Sequence, residues 1–463
     1  MTSNLMSLGV TDLLLLMEKR KLSAKEYAVE LSEKLSSEDH LNAVQSFSKD
    51  LLFESADIAD RKRQSGSGGG LCGIPFIAKD NINSKNFPTT AGTKALMANT
   101  TSTNAITIDK LLNEDAILGA KANMHELAFG ITSNNFTTGP VRNPKNPDKI
   151  AGGSSGGTAA AVAAEIFPIG LGTDTGGSCR IPAALCGVVG FRPSKGRYSI
   201  EGVVPISHTR DTVGTISRNV KDVILFDGIL SEKNYVLEDK PLNQITLGIP
   251  AEVFFENLEP QVENVIQAQL LNLEKLGVKL KEISMSDIWN HNEAFGFPVV
   301  LYEVLQDLPK YLKKYASEIN IDELVAGISS PDVAGVFASQ MGPEAMPKTA
   351  YEAALTIHGP AMKSIYEGTF SENGLDAIIF PTTPLTARNI GEDETIDLNG
   401  VQVPTFPTYI RNTDLGSNIG APGISLPCGG VAALPVGIEL DGLPGRDEDL
   451  LGLAKSIEMA LTS

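Results

Sequence analysis

Gly152-Gly153-Ser154-Ser155-Gly156-Gly157, followed by Thr173-Asp174-Thr175-Gly176-Gly177-Ser178-Cys179-Arg180, decides how this chain is read. Two glycine-embedded serines stand 24 residues apart, at 154 and 178, and the small-residue run Thr158 to Ala164 between them reads as a helix. Glycine lets backbone N–H groups come close to a ligand. Serine offers a hydroxyl that serves as nucleophile or proton relay. Two such loops in one chain point to a site built from backbone amides and hydroxyls.

Outward from these loops, strand-like and helix-like stretches alternate. Ile74 to Ala78 is an apolar run of strand length that delivers Lys79 and Asp80 at its end. A helix is expected near 105–115, a strand near 116–120, a helix near 158–164 and a strand near 166–171. Such alternation predicts an α/β protein with a central mixed sheet covered on both faces by helices. Upstream, residues 11–62 read as helical, with Ser23 and Glu26 forming a capping box. Downstream, 214–230 and 259–276 read as helices, and Gln244 to Ile249 as a strand. Residues 285–370 read as mostly helical, broken at Pro298, Pro331 and Pro347. Strands are expected near 375–380, 424–426 and 436–440, and a terminal helix over 449–461. Without an internal repeat or a long linker, the chain reads as one domain over 1–463, with a core near 65–215 and a helical elaboration near 255–370 that caps the site.

Composition narrows the partners. The 463 residues carry 38 basic and 56 acidic side chains, a formal charge of −18, so phosphate backbones and anionic lipid are repelled. Neither a nucleic-acid nor a membrane partner is expected. The first ten residues lack the pattern of a signal peptide. Cys72, Cys179, Cys186 and Cys428 show no metal-type spacing. A reduced, cytoplasmic protein with no metal and no cofactor is the expectation, and Cys179 reads as a small buried filler.

Three chemistries compete for the serine loops. Gly152 to Gly156 formally matches the G-x-S-x-G elbow, but the preceding Val141 to Ala151 reads as a loop, and an elbow requires a strand. A phosphate cradle needs a lysine at the end of the loop, and this one ends Gly157-Thr158. One acyl-transfer site served by both loops remains. It needs a base, and His40, His125, His208, His291 and His358 stand in no suggestive setting. Lys79 is the better candidate, because burial at a strand end lowers a lysine's pKa toward proton-accepting range. Its competing reading is an ion pair with a neighbour such as Asp80.

At these residues the chain resembles the amidase signature family. The resemblance runs through Gly73 to Asn81, the double-serine loop, Thr175 to Ala183, and Gly187 to Gly196. It implies the α/β/α fold of that family and a Ser–cisSer–Lys triad. Ser178 would be the nucleophile, Ser154 the bridging serine after a cis peptide, and Lys79 the base. The backbone N–H groups of Thr175, Gly176, Gly177 and Ser178 would form the oxyanion hole, with Ser155, Asp174 and Arg180 in support. Asn123 to Asn135, Pro205 to Thr212 and Ile328 to Ala334 resemble the indoleacetamide and mandelamide hydrolase branch. That branch implies a small arylalkyl primary amide as substrate, cleaved to acid and ammonia through an acyl-enzyme. Met124, Phe129, Gly130, Ile131, Phe295, Phe297, Tyr302 and Ile419 are the candidate pocket residues. Aryl acylamidase (anilide), carbamate or ester hydrolysis with the same triad is the alternative, and an amidotransferase subunit releasing ammonia to a partner is a third reading. The expected assembly is a monomer or homodimer.

Overall fold

The computed structural model describes residues 5–233, 235–237 and 239–461. Its centre is an 11-stranded sheet. In chain order the strands are β1 (Val44–Phe47), β2 (Pro75–Lys79), β3 (Ile117–Ala122), β4 (Ile169–Asp174), β5 (Val189–Arg192), β6 (Thr212–Ser217), β7 (Thr246–Pro250), β8 (Lys279–Ile283), β9 (Ala377–Pro381), β10 (Gly423–Val431) and β11 (Leu434–Asp441). Across the sheet they run β1-β3-β2-β4-β6-β5-β10-β11-β9-β7-β8. The sheet is mixed: β2 is parallel to both β3 and β4, and β7 to both β8 and β9, while the other neighbours are antiparallel.

Side-chain alternation along β10 and β11 separates the two faces of the sheet. Ile424, Leu426, Ile438 and Leu440 are fully buried in the main apolar core, which also takes in Ile266 and Leu273 of the helix Pro260–Lys275 and Leu451 and Ile457 of the helix Asp447–Leu461. Ser425, Gly437, Glu439 and Asp441 point the other way, toward the helix Arg180–Cys186. One face is therefore hydrocarbon, and the other carries the polar groups that support the serine loops. Burying each large apolar side chain of the first face contributes roughly 1.5–3 kcal/mol.

Local signals placed several elements. Ser23 caps the helix Ala24–Ser37 with a complete capping box. Four expectations are corrected. Val44–Phe47 is an edge strand inside the supposed helical region 11–62, paired with β3. Residues 212–217 form β6 rather than the start of a helix, which begins at Val220 behind the Asn219 cap. The stretch read as a loop, 141–151, folds as a small hairpin, Arg142–Asn143 against Asn146–Ile150. Pro298 does not break the chain: the helix Ile288–Tyr315 runs through it and Pro309. An interior proline costs about 3 kcal/mol, and the burial of Phe295, Val299, Val304 and Leu308 on that helix outweighs it. No described helix is long and apolar enough to cross a membrane.

Candidate active site

Strand pairing brings the first two functional segments together. Because β2 and β4 are parallel neighbours, with Ala78 opposite Leu171, their C-terminal ends emerge side by side. Lys79 closes one and Asp174 the other. Gly172 of β4 explains how tightly the loops then pack, since a Cβ there would sit 2.8 Å from Ser155 Oγ and 2.7 Å from Cys179 Sγ.

Lys79 is fully buried. Its Nζ donates to Ser154 Oγ at 2.7 Å and to Thr173 Oγ1 at 2.8 Å. Burial pulls its pKa down from 10.5 to about 7, with only partial compensation from the fields of Cys179, Asp174 and Asp211. The ion pair with Asp80 does not form. Asp80 instead receives Thr90 N–H and hydroxyl and lies 3.4 Å from Lys121. Asn81, unassigned from the sequence, donates to Thr173 Oγ1 at 3.0 Å and so completes the setting of the amine.

The peptide Gly153–Ser154 is cis. Ser155 ties the two serine loops together: its N–H donates to Ser178 carbonyl O at 3.2 Å, and its hydroxyl to Thr173 carbonyl O at 3.1 Å. The second loop folds around the carboxylate of Asp174, which accepts Gly177 N–H at 2.9 Å and Cys179 N–H at 3.0 Å. Arg180 and Arg192 pair with that same carboxylate. Burial alone would raise Asp174, but the two guanidinium groups and the Cys179 amide overcome it and hold the group far below the usual carboxylate range. Arg180 in turn is anchored by Glu439, Thr413 and Ser417.

This geometry corrects the four-amide oxyanion expectation by one. Gly177 N–H is committed to Asp174, whereas the N–H groups of Thr175, Gly176 and Ser178 meet no protein acceptor among the described residues. The Ser178 hydroxyl is likewise free of protein hydrogen bonds among the described residues, and Ser178 lines a cavity. Cys179 is fully buried, and burial pushes its thiol up to about 12, which suits an inert filler.

The cavity is compact, with a volume of about 70 Å³. Thr175, Gly176 and Ser178 are part of its lining. Of the eight residues named from sequence, Phe129, Gly130, Ile131 and Phe297 line it. The other four do not. On the helix Ile288–Tyr315, Gly296, Phe297 and Val300 share the cavity face, and successive helical residues diverge by about 100°. Phe295 therefore turns into a separate cluster against Gly359, and Tyr302 stacks on Tyr351 with ring centroids 4.3 Å apart. Ile419 packs on that same cluster, and Met124 lies behind Ala128 and Ile206.

Sequence reasoning missed Ile206, Arg210, Phe406, Ile410 and Asp414, all of which line the cavity. Phe406 and Ile410 stand four apart on the short helix Thr405–Ile410, a spacing that was legible. Arg210 pairs with Asp414 and donates to Gly296 carbonyl O at 3.0 Å, a partnership across about 200 residues that no local pattern announces. His208, Glu303 and Asp307 lie close enough to share an ion. However, Glu303 already receives Ser207, Thr209 and Tyr351 hydroxyls and Thr209 N–H, so its oxygens are engaged.

The Amidase family matches residues 29–451. The chain belongs to the amidase family. It is 41% identical to the indoleacetamide hydrolase of Rhizobium radiobacter over 96% of this chain and 95% of that protein. It is 38% identical to the mandelamide hydrolase of Pseudomonas putida over 99% of this chain and 92% of that one. A crystal structure of an amidase superposes with a TM-score of 0.87 at 31% identity, covering 98% of this chain and 99% of the other. The chain is accordingly an enzyme of the amide-hydrolase class with the amidase signature fold.

Proposed function

We propose that this amidase hydrolyses small arylalkyl primary amides to the carboxylic acid and ammonia, with Ser178 as nucleophile, Ser154 as relay and Lys79 as base. The observation that carries the reading is the buried Lys79 amine, 2.7 Å from Ser154 Oγ, with its pKa drawn down to about 7. An amine with that pKa is substantially neutral at physiological pH and accepts a proton. Ser154 gives its proton to Lys79 and takes one from Ser178 as that oxygen attacks the amide carbonyl. The negative charge on the carbonyl oxygen is met by the amides of Thr175, Gly176 and Ser178, each such donor contributing roughly 3 kcal/mol. The relay then returns a proton to the leaving nitrogen, ammonia departs, and water cleaves the acyl-enzyme by the same path.

The substrate class is supported by the cavity and by the named relatives. Phe129, Ile131, Ile206 and Ile410 give an apolar wall, and Phe297 and Phe406, with centroids 6.4 Å apart, add two aromatic rings. Flat aryl groups bind such surfaces well. The relatives named above act on indoleacetamide and mandelamide. The test is a panel of indoleacetamide, mandelamide, phenylacetamide and acetanilide, assayed by acid and amine release. Primary amides are expected to exceed the anilide by at least about tenfold in kcat/KM. Hydrolysis of the anilide alone overturns the substrate reading.

A further inference from the structure

Apart from Ala128 to Ile131, which line the cavity, the stretches Asn123 to Asn135 and Ile328 to Ala334 take no part in the reaction as derived, and the fold clasps them together. The buried Glu126 carboxylate accepts the N–H groups of Ser329 and Ser330, the latter at 2.7 Å, at the start of the helix Pro331–Gln340. His125 Nε2 lies 3.0 Å from Asp332 Oδ2 on that helix, in a contact too bent for a regular hydrogen bond. On the opposite edge of the ring, Ser133 N–H donates to His125 Nδ1 at 3.2 Å. With Nδ1 accepting, the ring hydrogen is placed on Nε2, facing Asp332.

From this ring two short routes lead to Ser154. His125 N–H donates to Ser154 carbonyl O at 3.2 Å. Ser133, held at a left-handed φ of 54°, accepts Gly156 N–H on its hydroxyl at 3.2 Å. A Cβ on Gly153 would fall 3.0 Å from Ser133 Oγ and 2.9 Å from the Ile131 carbonyl carbon. The Gly153–Gly156 loop thus lies directly on residues 131–133, with the imidazole holding that bed from behind. His125 is 1% exposed and does not line the cavity.

We propose that His125 is a positioning residue for Ser154: its bare Nδ1 fixes Ser133 and so the bed under the serine loop, while Nε2 faces Asp332. This rests on the reading of Ser154 as relay. The test uses the two amide side chains that imitate one ring nitrogen each. Asparagine's oxygen replaces Nδ1, and glutamine's amide nitrogen replaces Nε2. Full-length His125→Asn, His125→Gln and Ser133→Ala are compared with wild type in steady-state kinetics on indoleacetamide and in thermal unfolding. His125→Asn is expected to keep kcat within about fivefold, and His125→Gln to lose about thirtyfold with KM within about threefold. Ser133→Ala, which leaves the ring in place, loses about tenfold in kcat, the value of one buried hydrogen bond. A glutamine variant more active than the asparagine one, or a Ser133→Ala enzyme with unchanged kcat, overturns the role of His125. A wild-type chain with no amide turnover overturns the relay reading itself.

Discussion

The pH dependence of turnover tests the lysine base most directly. Burial sets the Lys79 pKa at about 7 instead of 10.5. Only the neutral amine accepts a proton, so the active fraction is about 1% at pH 5 and about 90% at pH 8. The expected kcat/KM on indoleacetamide therefore rises about 90-fold between those values and then levels off. A lysine at its ordinary 10.5 would give a tenfold rise per unit with no plateau before about pH 10. Continuous ammonia release in buffers of constant ionic strength measures the profile. A curve still climbing at pH 9, or flat from pH 5 to 8, refutes the reasoning. Stability supplies a second readout of the same amine. With a folded pKa below the unfolded one, the unfolded chain binds the extra proton between about 7 and 10.5, so wild-type stability rises with pH through that window. Lys79→Met removes a burial penalty of at most about 5 kcal/mol at pH 7 and below, before its lost hydrogen bonds are counted. Its stability relative to wild type is expected to be greatest there and to shrink by pH 10.5. A constant difference across that range contradicts the depressed pKa.

Further predictions concern the loops and the wall. Ser178→Ala is expected to abolish turnover while leaving the melting temperature close to wild type, because its hydroxyl makes no protein hydrogen bond among the described residues; a competent Ser178→Ala enzyme rules out this nucleophile. Asp174→Ala strips the partner from two fully buried arginines and two loop amides, and losing one side of a buried pair costs roughly 3–5 kcal/mol. Calorimetry should show that loss together with an inactive enzyme. Phe297→Ala, altering a side chain 54% exposed at the cavity, should lower kcat/KM for indoleacetamide about tenfold and leave acetamide within about twofold. Equal losses on both amides would mean that Phe297 does not read the aryl group.

What could be read locally was read correctly where short-range physics dominates. The capping box at Ser23 and Glu26, the apolar strand ending in Lys79 and the small-residue helix between the serine loops each depend on neighbours within a few residues. The errors lie where tertiary packing overrides those preferences. Pro298 is carried through a helix by the side chains that the helix buries, and Val44–Phe47 becomes a strand only because β3 offers an edge.

The site divides in the same way. The sequence alone determined which groups were available: two serines in glycine turns, a lysine at a strand end, and a carboxylate and an arginine flanking the second loop. The tertiary structure decided their partners. Parallel pairing of β2 with β4 delivers Lys79 to Ser154 rather than to Asp80, which Lys121 takes instead. The rotation of one long helix turns Phe297 into the cavity and Phe295 away from it. Contacts between residues 75 to 259 positions apart depend on strand register and helix phase, and these are fixed only when the whole core packs.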